Sequence, residues 1–197
     1  MKKLILFAAL AIFVIANSNA QINFGAKAGV NFATITGDDV ESFDSRTAFH
    51  VGVVAEIVIS ETFSFQPELL YSAQGADYSD EEFEGTFKLD YLNIPLMAKF
   101  YVGEGFSLEA GPQIGLLMSA KDEYDFTGTA FKSEEDDIKE FVKDIDFGIN
   151  VGVGYKLEGG LNFGARYNLG LSDANDSGDD SFTLKNSVIQ AYVGYFF

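Results

Sequence analysis

The 197-residue chain contains no cysteine. That excludes a small secreted scaffold stapled by disulfides and leaves burial and strand pairing to hold the fold. Basic residues are also scarce, 13 Lys and Arg against 30 Asp and Glu, for a formal charge of −17. Such a balance repels phosphate backbones, so nucleic acid is not an expected partner. A single histidine, His50, and no cysteine leave no zinc-ligand spacing, and no phosphate-cradling glycine loop or dinucleotide fingerprint is present. No cofactor is therefore expected. Beyond the first residues, no apolar run approaches the roughly 20 residues that a membrane-spanning helix needs. The chain has instead 20 Phe, 9 Tyr and 20 Gly beside 3 Pro. This is a sheet composition, rich in aromatic surface and in places where backbones approach closely.

The opening "MKKLILFAALAIFVIANSNAQ" has two lysines, an apolar run from Leu4 to Ala16 and a small-residue tail before Gln21. This is the three-part layout of a secretory signal peptide, with cleavage expected after Ala20. The run is short for a retained anchor. Residues 1–20 are thus expected to be removed and 21–197 to form one domain.

From Gln21 onward apolar residues recur every second position. Ile22, Phe24, Ala26, Ala28, Val30 and Phe32 alternate with Asn23, Gly25, Lys27, Gly29 and Asn31. The same rhythm predicts strands over 48–59, 63–75, 89–101, 106–120, 145–156 and 161–171, and a last one from Ile189 to Phe197. Tight turns "SET", "VGEG" and "LEGG" follow the second, fourth and sixth strands, and long acidic stretches such as "DYSDEEFEG" and "SDANDSGDDS" follow the others. Short connections on one side and long ones on the other are the rhythm of an all-β, eight-stranded antiparallel transmembrane barrel, with periplasmic turns, extracellular loops and both termini periplasmic.

A soluble barrel of the lipocalin type would alternate likewise with its faces exchanged. The polar face argues against it, being dense in glycine with isolated charges, as suits the crowded interior of a narrow barrel. Those charges balance: Lys27, Lys99, Lys156 and Arg166 against Glu56, Glu68, Glu109 and Asp146. Buried ions require pairing, so these eight are expected to form a lumen charge network. Most other acidic residues fall in the long loops. Phe24, Phe63, Phe65, Phe100, Phe106, Tyr155, Phe163, Tyr195 and Phe197 lie on the apolar face near a tight turn or a terminus, as an interfacial girdle would.

The final alternation, Val193, Tyr195, Phe197, resembles the terminal signature read by the barrel assembly machinery, with Tyr195 and Phe197 as its signal residues. "FGAKAGVNFA", "FHVGVVAEIVISETFSFQPELLYSAQG", "LDYLNIPLMAKFY", "GPQIGLL" and "GVGYKLEGGLNFGARYNLGL" together resemble the Bacteroidota-type outer membrane beta-barrel family, often called PorT-like or loosely porin family. The resemblance covers about Gln21 to Phe197. It implies an outer-membrane location, outer-membrane lipids as surroundings and the assembly machinery as a partner in biogenesis. A role in a protein secretion apparatus is suggested only by the family's name-giving member.

Two groups of residues invite a chemical reading. His50, Ser72 and Glu68 supply residue types for a lipid-modifying site, but all three point into the lumen, away from lipid, so an enzyme is not expected. "DANDSGDDSF" begins like a calcium loop, with Asp173, Asn175 and Ser177 at alternate oxygen positions, but Leu184 stands where a closing glutamate belongs. The clustered loop carboxylates could also meet divalent cations at a lipopolysaccharide surface, although charge runs mostly serve as solvated surface. The third long loop, "SEEDDIKEFVKD", fits either a short helix capped by Ser133 or an extension of strands above the membrane. The expected function is that of a filled-lumen outer-membrane barrel with a structural or interaction role at the cell surface through its acidic loops, any surface or envelope partner being unknown.

Overall fold

The computed structural model describes residues 21–37, 43–79, 83–126, 134–176 and 183–197. The expected signal peptide, Ser133 and Ser177 lie outside the described residues. Ten strands follow one another: β1 Gln21–Thr36, β2 Phe43–Asp44, β3 Arg46–Ser60, β4 Phe63–Ser79, β5 Phe83–Tyr101, β6 Phe106–Phe126, β7 Glu134–Asp137, β8 Ile145–Lys156, β9 Leu161–Gly170 and β10 Lys185–Phe196. Eight of them close into an antiparallel ring in the order β1, β3, β4, β5, β6, β8, β9, β10. The ring is sealed by β10 pairing back onto β1, from Gly25 opposite Phe196 to Thr36 opposite Lys185. Closure removes the free edges that would otherwise expose unpaired backbone groups.

Each strand follows the two-residue period. In β8, Ile145, Phe147, Ile149, Val151 and Val153 are exposed on the outer face, while Asp146 and Asn150 are buried within. The same division holds in β9, where Leu161, Phe163, Tyr167 and Leu169 face out and Asn162, Arg166 and Asn168 face in. In β3 the alternation breaks: Glu56 and the following Ile57 are both buried, just before a register shift between Val58 and Ser60. Ile57, expected on the outer face, is thus covered beside the irregularity. The outward aromatics stack in pairs near the tight turns, Phe63 on Phe100 with ring centroids 4.9 Å apart and Tyr155 on Phe163 at 5.7 Å. Exposed Phe32, Phe49, Phe147 and Tyr167 lie farther along their strands, so outward aromatics are not confined to the tight-turn end.

Two tight turns depend on glycine. Gly105 and Gly160 have φ of 80° and 88°, the left-handed region where a side chain is strained. On the loop side the strands outrun any bilayer. β4, β5 and β6 are 17, 19 and 21 residues long, whereas roughly 9–11 suffice to cross. Their upper parts form a sheet widened by β2 on β4 and by β7 on β6. Of the two outcomes expected for the third long loop, strand extension dominates among its described residues, where the helical element is one 3-10 turn, Lys139–Phe141.

Candidate functional site

Inside the ring the side chains lie in three levels. Nearest the tight turns is an ionic level centred on Arg166. Its guanidinium grips Glu68 with two hydrogen bonds, Nη1 to Oε2 at 3.0 Å and Nη2 to Oε1 at 2.8 Å, and Nη2 also reaches Glu109 Oε2 at 3.2 Å. Lys27 Nζ lies 3.1 Å from Glu68 Oε2 and 3.8 Å from the centre of the Tyr192 ring. Tyr192 in turn donates its hydroxyl to Glu109 at 3.0 Å. Lys99 Nζ meets Glu109 Oε1 and Gln66 Oε1, both at 3.2 Å. A second group, Glu56 held by Lys156 and by the Tyr101 hydroxyl, adjoins the first through Lys99, whose Nζ is 5.6 Å from the Tyr101 ring centre. Each of the eight ring strands contributes a member: Lys27, Glu56, Glu68, Lys99, Glu109, Lys156, Arg166 and Tyr192.

Seven of the eight expected network residues are therefore brought together, and Asp146 is not. It lies at a different level, where Ser172 donates to its Oδ1 at 2.8 Å. Tyr192 takes the place on β10 that alternation alone did not assign. Its hydroxyl fits against glycine: a Cβ on Gly154 would sit 2.5 Å from Glu109 Oε1 and 3.0 Å from the Tyr192 oxygen. The glycine-dense inner face is what lets these large polar groups meet near the axis.

The middle level is built from amides. Asn31 Oδ1 accepts from Gln190 Nε2 at 3.1 Å and faces His50 Nδ1 at 2.7 Å, which makes Nδ1 the protonated ring nitrogen. The Nδ2 group of Asn31 donates to Ser72 Oγ at 3.0 Å. His50 and Ser72 are thus joined through Asn31, and Glu68 is committed to Arg166 and Lys27. A nucleophile needs its base directly in reach; Asn31 stands between these two, and both are buried.

The level toward the loops is apolar. Ile35, Ala76, Leu89, Tyr91, Leu117 and Ala120 pack as one cluster, and Phe43, Phe87, Ile138, Val142 and Leu184 close over it. Leucines at this height are not expected from a polar inner face. Above lies an acidic rim. Lys121 meets Glu135 at 2.6 Å, Lys88 pairs with Glu123, and Tyr124 donates to Glu134 at 3.0 Å. The hydrogen bond from Lys121 holds the Glu135 carboxyl below its usual range. All four residues of β7, Glu134 to Asp137, are exposed.

Asp173 of the calcium-like stretch is engaged by its own loop. Its Oδ1 accepts the backbone N–H groups of Leu184 at 2.9 Å and Asn175 at 3.1 Å, and its Oδ2 lies 3.3 Å from Lys143 Nζ. Desolvation pushes this carboxyl upward, but those hydrogen bonds outweigh it and hold the pKa below the ordinary value. Among the described residues no group of three or more acidic or histidine side chains is placed to hold a metal ion.

Residues 16–176 match the family profile described as outer membrane protein beta-barrel domain. The chain belongs to that family. This outer-membrane barrel also resembles solved structures. Ail, the attachment invasion locus protein of Yersinia pestis, aligns at 13% identity over 88% of this chain and 98% of its own, with a TM-score of 0.53. Neisserial surface protein A aligns at 16% identity over 88% and 97%, with a TM-score of 0.51. A major outer membrane protein of Thermus thermophilus aligns at 13% over 90% and 100%, with a TM-score of 0.52. At such identities the likeness is one of fold. No curated protein matches the chain. In this outer-membrane barrel the exposed Phe, Val, Ile and Leu of the ring strands are the surface presented to lipid, and the ionic and amide levels are enclosed.

Proposed function

We propose that this outer-membrane barrel is a non-enzymatic surface platform: a barrel with a sealed lumen that holds an acidic sheet and its loops above the membrane for a partner to bind. The observation that carries this reading is the continuation of β4, β5 and β6 past the apolar band into a sheet bearing exposed Glu134, Glu135, Asp136 and Asp137. A barrel needed for its lumen alone gains nothing from strands about twice the crossing length. The ionic belt and the apolar cap support a filled interior, since eight strands leave room only for side chains.

In this reading the tight turns and both termini face the periplasm, and Tyr195 and Phe197 present the terminal signal to the assembly machinery. Their rings lie 5.9 Å apart on the outer face, where a receptor meeting β10 would reach them. Ail's description as an attachment invasion locus protein is compatible with a surface-binding role here.

Crosslinking in intact envelopes followed by capture of the barrel tests the proposal. The expected result is a reproducible partner that is lost when residues 127–137 are replaced by a short Gly-Ser link. Recovery of the barrel alone, or of the same partner from the loop-replaced form, would overturn it. Capture of secretion-apparatus components by both forms would shift the assignment to the secretion role implied by the family resemblance.

A further inference from the structure

The three tight turns carry one glutamate each, Glu61, Glu104 and Glu158, and no basic residue. They converge at the end of the barrel opposite the acidic rim and line an open vestibule of about 890 Å³ together with Glu56, Ser64, Tyr101 and Lys156. Its lining holds four carboxylates and one ammonium. Lys156 is paired with Glu56, so the three turn glutamates are surplus charge. Ser64 is a second, independent mark. Its side chain is 1% exposed, and its Oγ has no hydrogen-bond partner among the described residues. Lys99, across the strand pair from Ser64, is committed to Glu109 and Gln66. A buried hydroxyl without a partner is unfavourable, and its lone pairs accept readily from a charged N–H donor.

The arrangement selects among cations. The described carboxylates do not converge closely enough to hold a metal ion. Negative charges spaced over three separate turns around an open chamber match instead a ligand whose positive charges are themselves spaced. We propose that this mouth docks a basic, extended peptide segment, with one Lys or Arg side chain entering as far as Ser64 and its neighbours resting against Glu61, Glu104 and Glu158. The site is separate from the acidic rim and stands or falls independently of it.

The test uses the refolded barrel in nanodiscs of uncharged lipid and a fluorescent probe peptide, acetyl-Arg-Gly-Arg-Gly-Arg-amide, followed by anisotropy at low and high salt. Combined Glu61→Gln, Glu104→Gln and Glu158→Gln substitutions lie on exposed turns and leave the ring intact. They are expected to weaken binding by about tenfold at low salt, and the contrast is expected to shrink at high salt. Ser64→Ala is expected to weaken binding by several-fold, and a rim variant with Glu134→Gln, Glu135→Gln, Asp136→Asn and Asp137→Asn to leave the turn-dependent component unchanged. Equal affinity for the turn variant and the parent would overturn the proposal. So would loss of all binding in the rim variant alone. Spermidine competing with the same dependence on the turn glutamates and on Ser64, and with higher affinity than the peptide, would overturn the assignment to a peptide.

Discussion

Arg166 has the most demanding position of any side chain in the barrel. It is buried, shared between Glu68 and Glu109, and reached from β9 across the lumen. Removing it takes three charge-assisted hydrogen bonds from two buried carboxylates, which keep Lys27 on Glu68 and Lys99 on Glu109. Arg166→Ala should therefore lower the unfolding free energy by roughly 3–5 kcal/mol, through the lost hydrogen bonds and the space left between the two carboxylates. Urea titration in lipid vesicles measures it, and a loss under about 1 kcal/mol would contradict the belt as a structural element. Replacing Arg166 by Met together with Glu68→Gln should recover part of the deficit. Gly154 tests the same region sterically. Gly154→Ala places a methyl against Glu109 and Tyr192 and should cost roughly 1–3 kcal/mol. It should also be non-additive with Tyr192→Phe, because both disturb one hydrogen bond.

At the scale of strands and loops, Asp173 ties the last long loop to itself through Leu184 and Asn175. Its pKa is lowered in the folded protein from an ordinary 3.8. The contribution is thus fully present above the ordinary value and is lost as pH falls through the lower, folded one. Protection of the Leu184 and Asn175 amides, taken relative to the intrinsic exchange rate at each pH, should hold at neutral pH and fall only below the usual carboxylate range, whereas Asp173→Asn should lower it already at neutral pH. Since this carboxylate is already used, millimolar calcium should leave the melting temperature unchanged; a clear rise would revive the loop as an ion site.

The strands themselves were legible because one face meets lipid and the other does not, which imposes the two-residue period. Height was not legible. Alternation places Asp146 on the inner face but cannot say that tilt and register lift it away from the lysines and toward Ser172. The apolar cap was hidden for a related reason. A register shift between Asp90 and Tyr91 sets Tyr91 opposite Leu117 and Asp90 opposite Ser119, and "GLLMSA" is apolar on both faces there. Counting by twos from Phe106 turns Leu116 outward and Leu117 inward, as observed, but it also turns Ala120 outward, whereas Ala120 is buried in the cap. Tyr192 was visible as an inward residue, but its partner Glu109 lies 83 positions away.

For the molecule as a whole, belt below and cap above predict the absence of a steady conductance. Planar bilayers holding the purified protein should show none at moderate voltage, whereas Tyr91→Ala combined with Leu117→Ala should introduce brief, flickering openings by loosening the cap. A stable open channel in the unaltered protein would contradict the sealed lumen.

The seam between β1 and β10 reaches further still. The Phe197 amide donates to the Phe24 carbonyl at 2.8 Å, so the start of the first strand and the finish of the last are side by side. The opening strand has no mate on that flank until β10 reaches it, so the cylinder closes only when these two strands, distant along the chain, pair. Circular order is then what the architecture records. A version spliced from 197 to 21 and cut between 126 and 134 should refold from urea into lipid vesicles as the same cylinder, without the terminal signal, and with a different pair of strands meeting at the closure.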